Sequence, residues 1–518
     1  MPLNTLTPSP APTAPPRAGL REWLALFVLI LPVLVVSLDN TALSFAVPQL
    51  SAALNPSGAG LLWIVDIYPL MLAGLLMTMG MLGDKVGRRR LLLIGTAGFG
   101  LVSLYAAFAP DALHLIAARA LLGVFGAMLM PSTLSLLRNV FVNDDERRLA
   151  IAVWASGFAG GSALGPIVGG WLLEHFWWGS IFLVSVPPVF ILLVAAPFLL
   201  PESRNPNAGR LDPVGVLMSI FAMLPLVFGI KHVAAQGLDP VAIASLGFGA
   251  LVGAAFVHRQ IHRPDPLLDL RLFTRPVFAA SVAANFMSVF AFAGLIFYMS
   301  QHLQFVEGKA PLEASMSLIP GAIASIAMGL LAVSLAKVVP VRHLVPLGIL
   351  LASGGYLLGT TLHVGSPGIV IVLVFALVGA GAGLAETLTN DAILASVPPE
   401  RAGAASGISE TAYELGAALG VAVLGSLLTW RYRAFLVLPA GLPAETEAAA
   451  KNTIGSAMSK APELSPVLES SLVEATRRAF ESGVALTSAV GAVVTLLTAL
   501  GVWFVLYCDH RRSQSPTS

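Results

Sequence analysis

The sequence predicts an all-α polytopic membrane protein of fourteen transmembrane helices, arranged as two six-helix bundles with an inserted helix pair. Three observations lead there. Hydrophobic residues make up 56% of the 518-residue chain and charged residues only 11%, against roughly 25% charged in soluble domains. Apolar runs of about 20 residues, the length that crosses a hydrocarbon core, recur from one end to the other. Basic residues gather in alternate connections between those runs, the pattern that sets membrane orientation.

Residues 1–20 open with the Pro/Ser/Thr-rich "MPLNTLTPSPAPTAPP" and are expected to form a disordered cytoplasmic start. No short apolar core leads to a small-residue cleavage site, so no removable signal peptide is expected. Spans near 22–47, 61–82, 91–109, 112–135, 149–173 and 178–200 make a first bundle over 21–200. The polar stretch "LLPESRNPNAGRLDP" follows, then spans near 214–231 and 240–257 and a linker carrying Arg259, Arg263, Arg271 and Arg275. Linkers and inserted pair together occupy 201–276. Spans near 277–302, 313–336, 343–362, 368–394, 405–430 and 482–506 make the second bundle over 277–506, with a tail at 507–518.

Twenty of the 29 lysines and arginines fall in the termini and in the alternate loops on the same side; the short loops of the other side hold only Lys231 and Lys309. Both termini are therefore expected in the cytoplasm. The segment 431–481 is then a long external loop, and Leu464, Leu468, Leu472 and Ala475 lie on one stripe of a helix within it. A net charge of +1 points away from a nucleic-acid partner, and the single Cys508 excludes an intrachain disulfide.

A weak internal repeat supports two equal halves. "GGSALGPIVGG" in the fifth span aligns with "LGAALGVAVLG" in the thirteenth, each the fifth span of its bundle. Parallel repeats are typical of transporters that rock two halves about a central site. Gly157, Gly161, Gly165 and Gly169 recur every four residues, followed by Gly170, and allow close helix approach. Pro166 among them can bend the helix.

After the second span the chain reads "GMLGDKVGRRRLL", with Gly80, Gly83, Asp84, Gly87 and Arg88 in the pattern Gly-x-x-Gly-Asp-x-x-Gly-Arg. Asp84 can accept hydrogen bonds from backbone N–H groups or an arginine, and Gly87 permits a turn with φ > 0. The matching loop of the second half, "SLAKVVPVRHL", has Ala336 in place of the aspartate. This pattern resembles the signature of the major facilitator superfamily. "GSALGPIVGG" is similar to that superfamily's antiporter motif, and "SLDNTALSFAVPQL" in the first span to the matching motif of its fourteen-helix drug:proton antiporters. The resemblance runs from Arg21 to about Leu506 and is closest to quaternary-ammonium and multidrug efflux pumps. It implies the major facilitator fold, a bacterial cytoplasmic (inner) membrane location, a role in biocide and antibiotic resistance, and a gating role for the Gly80–Arg88 loop. A monomer is expected.

The ionisable residues inside the spans are Asp39, Asp66, Arg119, Glu386, Glu410 and Glu414; Asp391, at a boundary, is expected to be an interfacial solvated charge. Each costs roughly 2.5–3.5 kcal/mol at a helix centre on insertion scales, so each needs a partner or a purpose. None lies in the third, sixth, seventh, eighth, eleventh or fourteenth span, as a central solvated pathway predicts. Arg119 is expected to pair with Asp39; the resemblance supports this, since the family carries an arginine in the fourth span, here in "LIAARALLGVFGA". Glu410 and Glu414, one turn apart, share a face. On the structural alternative, Asp39 only partners Arg119 and Glu410 only meets the dipole of its helix. Trp63, Tyr68, Phe290, Phe292, Tyr298 and Tyr413 are candidates to line a site for flat cations, although packing is the commoner role of an intramembrane aromatic.

The histidines all lie in loops or near helix ends, and neither a metal cluster nor a phosphate-cradling Gly-x-x-x-x-Gly-Lys-Ser/Thr loop occurs. No metal, cofactor or ATP is expected. Carboxylates are left to carry the chemistry, and five embedded acids against one base favour cationic cargo. The expected function is proton-coupled export of lipophilic cations (quaternary ammonium compounds, cationic dyes, dicationic biocides) by alternating access. The nearest alternative is an exporter of an amino acid, siderophore or metabolite. A membrane enzyme or a receptor is a more distant one, for want of a nucleophile–base or metal constellation and of sizeable soluble segments.

Overall fold

A computed structural model describes residues 17–54, 58–204, 212–263, 266, 270–309 and 311–514; most of the Pro-rich start lies outside them. Among the described residues there is no strand. The first bundle holds α1 (Leu20–Leu54), α2 (Gly58–Val86), α3 (Arg88–Ala107), α4 (Ala112–Val140), α5 (Asp144–His175), α6 (Ser180–Leu183) and α7 (Val186–Leu199). The inserted pair is α8 (Pro213–Gln236) and α9 (Pro240–His262). The second bundle contains α10 (Pro276–Gln301), α11 (Pro311–Met316), α12 (Ile319–Val338), α13 (Val341–Gly359), α14 (Gly368–Ala395) and α15 (Ala402–Phe435). Two short helices, α16 (Ala444–Asn452) and α17 (Ile454–Lys460), precede the last, α18 (Pro466–Gln514).

Among the described residues 13 helices qualify as spans by length and apolarity, or 14 when α5, bent by 40° between Ser162 and Ile167, counts as one. That bend falls where the sequence places Pro166, whose nitrogen has no hydrogen to donate; its side chain is outside the described ones. Prolines also explain two breaks that hydropathy does not mark. The sixth span divides into α6 and α7 where Pro187 and Pro188 restart the helix, and the tenth divides into α11 and α12, with Pro320 opening the second.

The last helix differs most from expectation. It begins at Pro466 rather than near 482 and runs for 49 residues, about 74 Å, more than twice the roughly 30 Å hydrocarbon core. Its first turns stand clear of the bundle and close a small apolar cluster: Leu472, fully buried, packs with Ala450, Ala457 and Ala461, and with Leu464 beside them. The long loop is therefore a packed helical hairpin.

The two bundles repeat the same pairings. In the first, α1 packs on α5, α2 and α3 on α4, and α7 on α3; in the second, α10 packs on α15, α12 and α13 on α14, and α18 on α13. The aligned glycines hold equivalent places. A Cβ on Gly161 would come within 2.5 Å of the Ser37 Cβ in α1, and one on Gly416 within 2.5 Å of the Phe286 carbonyl in α10. Gly165 meets Thr41 and Gly420 meets the Phe290 carbonyl in the same manner. Gly157 and Gly169 add contacts with Val33 and Ala42, whereas Gly170 has nothing within 4 Å of a built Cβ.

The inserted pair lies beside the seam between bundles. Helix α8 packs on both α2 and α15, with a Thr78–Ser219 hydroxyl pair at 2.9 Å and Leu70, Ala73 and Val227 packed near Leu415 and Ala418.

At the end where the basic loops gather, here called the basic end, side chains stitch the bundles together. Asp84 accepts from Arg88 Nε (2.9 Å) and Nη2 (2.7 Å), and from the backbone N–H groups of Gly403 and Ala404, both at 2.9 Å. It thus meets the N-terminus of α15, where the helix dipole favours an anion. Gly87 has φ 116°, which brings Arg88 back one turn from Asp84, and Gly83 packs near Leu91. Gly80 lies against the Gly403 carbonyl with no room for a side chain. Arg88 also donates to the Pro399 carbonyl (2.8 Å) and Arg138 to the Val397 carbonyl (2.6 Å).

Asp391 corrects the expectation of a solvated boundary charge. It is 5% exposed and accepts from Arg147 Nε and Arg148 Nε of the other bundle, both at 2.9 Å. Both arginines sit in the first two turns of α5, and the loop-proximal position that suggested solvent is covered by them. An Asp391→Asn substitution leaves these guanidiniums short of a counter-charge, at a cost of about 1–3 kcal/mol to the closed basic end. In a Cys508→Ser background, a cysteine replacing the buried Val397 should then be alkylated at least about fivefold faster than with Asp391 intact; an unchanged rate would show that the clasp does not hold the end shut.

Candidate functional site

The embedded charges form two tiers, one in each bundle. The upper tier joins α1, α2 and α4. Asp39, Arg119 and Tyr68 lie about 27–31 Å along their helices from the basic end, at 1.5 Å per residue. Arg119, 1% exposed, donates Nη1 to Asp39 Oδ2 and Nε to the Ile64 carbonyl at 3.2 Å. Its guanidinium also lies 4.5 Å from the Tyr68 ring centroid, a cation–π contact in a site closed to solvent. The expected Asp39–Arg119 pair is therefore formed, and a planar guanidinium meets a carboxylate, a carbonyl and a ring at once, which an ammonium cannot do. Asp66 belongs to α2 at the height of this tier, between Ile64 and Tyr68, but its side chain is outside the described ones.

The lower tier comes from α14 and α15. Glu386 and Glu410 lie about 12–14 Å from the basic end and Glu414 about 18 Å. Glu410, 4% exposed, is within electrostatic reach of both Glu414 and Glu386. The buried Oε1 of Glu386 accepts no hydrogen bond from the described residues. Tyr413 is within electrostatic reach of all three acids, and Tyr68 is within reach of Glu414 as well as of Asp39 and Arg119, so Tyr68 lies between the tiers.

The proposed aromatics separate into groups. Tyr68 and Tyr413 lie at the acids. Trp63, 41% exposed, stacks instead on Phe228 of the inserted pair (5.8 Å, 9°). Tyr298 is fully buried, with its hydroxyl 2.9 Å from Ser488 of α18. Phe290 and Phe292 pack with the second bundle's core. The last three thus fill the space between α10 and its own bundle.

Sequence reasoning passed over two features. Phe158 of α5 stacks on Tyr413 across the seam, with ring centroids 4.8 Å apart. An amide–hydroxyl chain joins α10, α15 and α14 beside Glu410: Asn285 Nδ2 donates to Ser409 Oγ (3.0 Å), and Ser409 Oγ to Asn390 Oδ1 (2.5 Å). Asparagines at 285 and 390 inside apolar spans were the readable signal for that chain, because polar side chains in lipid seek partners on neighbouring helices. For Phe158 the sequence held no signal, one phenylalanine among 26.

Comparison with known proteins gives consistent matches. The Major Facilitator Superfamily profile matches residues 29–421. A multidrug efflux pump of Mycolicibacterium smegmatis is 49% identical over 94% of this chain and 97% of its own. The methyl viologen resistance protein of Salmonella typhimurium is 38% identical over 95% of this chain and 100% of its own. Among solved structures, the human organic anion transporter MFSD10 superposes with a TM-score of 0.60 at 15% identity, covering 93% of this chain and 99% of that one. The proton:xylose symporter XylE does so at 0.57 and 14%, covering 93% and 95%. At those identities the two structures speak to fold alone.

Arg119→Gln leaves Asp39 buried without its counter-charge and should lower stability by about 3–5 kcal/mol. The double replacement Asp39→Asn with Arg119→Gln should recover much of that loss in thermal unfolding of the purified protein, while Arg119→Lys should not.

Proposed function

The chain belongs to the Major Facilitator Superfamily, and on that premise we propose that it exports lipophilic cations in exchange for inward-moving protons. It is a small-molecule transporter of the multidrug efflux kind. The basic end is then the cytoplasmic end, by the charge asymmetry of the loops, and the structure is in a state closed to the cytoplasm.

The observation that carries the reading is the lower tier: three carboxylates from two helices of one bundle, facing the seam, one with a buried oxygen that accepts no hydrogen bond from the described residues. Like charges this close disfavour simultaneous ionisation where water is scarce. A proton relieves that repulsion, and so does a cationic cargo, so the two compete for the same carboxylates. Their alternation becomes exchange when the seam opens first to one side and then to the other. A proton moving inward contributes roughly 2.3 kcal/mol per 100 mV. The name of the Salmonella typhimurium relative carries a flat dication, methyl viologen, which suits more than one acid.

In this scheme the upper tier is already neutralised by Arg119 and serves to position Tyr68 above Glu414, with Asp39 and Asp66 as secondary acids. The Asp84 cap and the Asp391 clasp hold the cytoplasmic end shut until cargo has left. The glycines of α5 seat that helix tightly against α1, so the first bundle rocks as one body.

In proteoliposomes with an imposed pH gradient, wild-type protein should drive a fluorescent cation against its gradient, and collapse of the pH gradient should stop it. Glu414→Gln should cut that flux at least about tenfold, one pKa-unit's worth of lost coupling; undiminished flux would remove Glu414 from the mechanism, and cation transport indifferent to the pH gradient would remove the proton.

A further inference from the structure

Tyr413 belongs to the second bundle but packs into the core of the first. Its ring lies on Phe158 at 4.8 Å and 29°, and Phe158 is held from behind by Trp154, at 5.4 Å and 84°. Trp154 is itself fixed, fully buried and donating its indole N–H to Thr133 Oγ1 at 3.2 Å. One face of the pair is therefore rigidly backed by α4 and α5. The other rides on α15, flanked along that helix by Glu410 and Glu414 and approached by Glu386 from α14.

We propose that Phe158 is a specificity-determining residue, the fixed wall of a slot that opens against Tyr413 to take a planar aromatic cation. This rests on the cation-export reading above and names the cargo shape that the same site selects. A flat ring seated between two others needs about 3.5 Å on each side, so the centroids must part from 4.8 Å to about 7 Å. Neither ring can supply that gap by rotating alone, since each is packed on its own helix. The two bundles have to separate by about 2 Å at mid-membrane.

A planar cation replaces the lost ring–ring contact with two ring–cation contacts, and the acids around Tyr413 meet its charge. A tetrahedral cation offers no flat face, so it gains the acids without the slot. Seating of flat cargo and parting of the bundles are in this way one event.

The test compares ethidium, a planar cation, with tetrabutylammonium, a tetrahedral one without rings, binding to the purified full-length protein. Phe158→Leu keeps most of the volume and should weaken ethidium about tenfold, the loss of one desolvated cation–π contact, with tetrabutylammonium changed by less than about twofold. Phe158→Tyr should restore ethidium. Equal weakening of both cations, or unchanged ethidium binding in Phe158→Leu, would overturn the slot while leaving cation export standing. A wild-type protein that binds neither cation would bring down the export reading itself, and the slot with it. Thermal unfolding run alongside separates these results from misfolding: a Phe158→Leu variant with wild-type stability and altered selectivity supports the slot, and one whose selectivity is unaltered opposes it.

Discussion

Lipid solvates no charge, and that constraint organises the molecule. Every ionisable side chain carried into the spans has to be met from within the protein, and the seam between the bundles is the region where that can happen. Arg119 is surrounded by a carboxylate, a carbonyl and an aromatic face. Asp391 is held by two guanidiniums and Asp84 by a guanidinium and a helix N-terminus. Against that background Glu386 stands out, because one of its oxygens accepts nothing from the described residues. A fully compensated charge holds structure, whereas Glu386 keeps one oxygen uncommitted among the described residues.

The compensated charges also differ in which elements they join. Arg119 and Asp39 are both in the first bundle, so their bond survives any relative motion of the halves. Asp391 with Arg147 and Arg148, Arg138 with the Val397 carbonyl, and Asp84 with Gly403 and Ala404 all cross the seam. A rocking transition leaves the first bond intact and breaks the others together. Multiple moderate bonds that break as a group give a two-state element rather than a continuously soft one, and such an element is what a ligand can bias.

Small residues make the arrangement possible. Helices α1 and α5 approach at Gly161 and Gly165, and α10 and α15 at Gly416 and Gly420, where a methyl group would clash with the facing helix. Without apolar solvent exclusion to drive helices together in lipid, close van der Waals contact has to do it, and only glycine permits that contact. The same register in both halves, read from two short motifs, is a packing solution used twice. The inserted pair is outside the repeat: α8 leans on α2 and α15 from the side, so the two bundles keep their internal pairing although the chain between them is longer.

The sequence by itself determined the number and order of spans, the two-halved plan, the pairing of Asp39 with Arg119 and the turn at Gly87, because those follow from hydropathy, local spacing and the cost of an unpaired charge in lipid. It misjudged Asp391, grouped Trp63, Phe290, Phe292 and Tyr298 with the aromatics at the acids, and did not single out Phe158. Asp391 and Phe158 depend on which helix from the other bundle lies opposite, and that is fixed by packing between segments hundreds of residues apart: 147 with 391, 158 with 413; the aromatics of α10 depend on which helices of their own bundle close over them. Even the breaks at 184–185 and 317–318 left apolarity untouched and showed only as prolines. Local chemistry fixed what each helix is, whereas contact across the seam decided which side chains lock the bundles together and which aromatic rings meet between them.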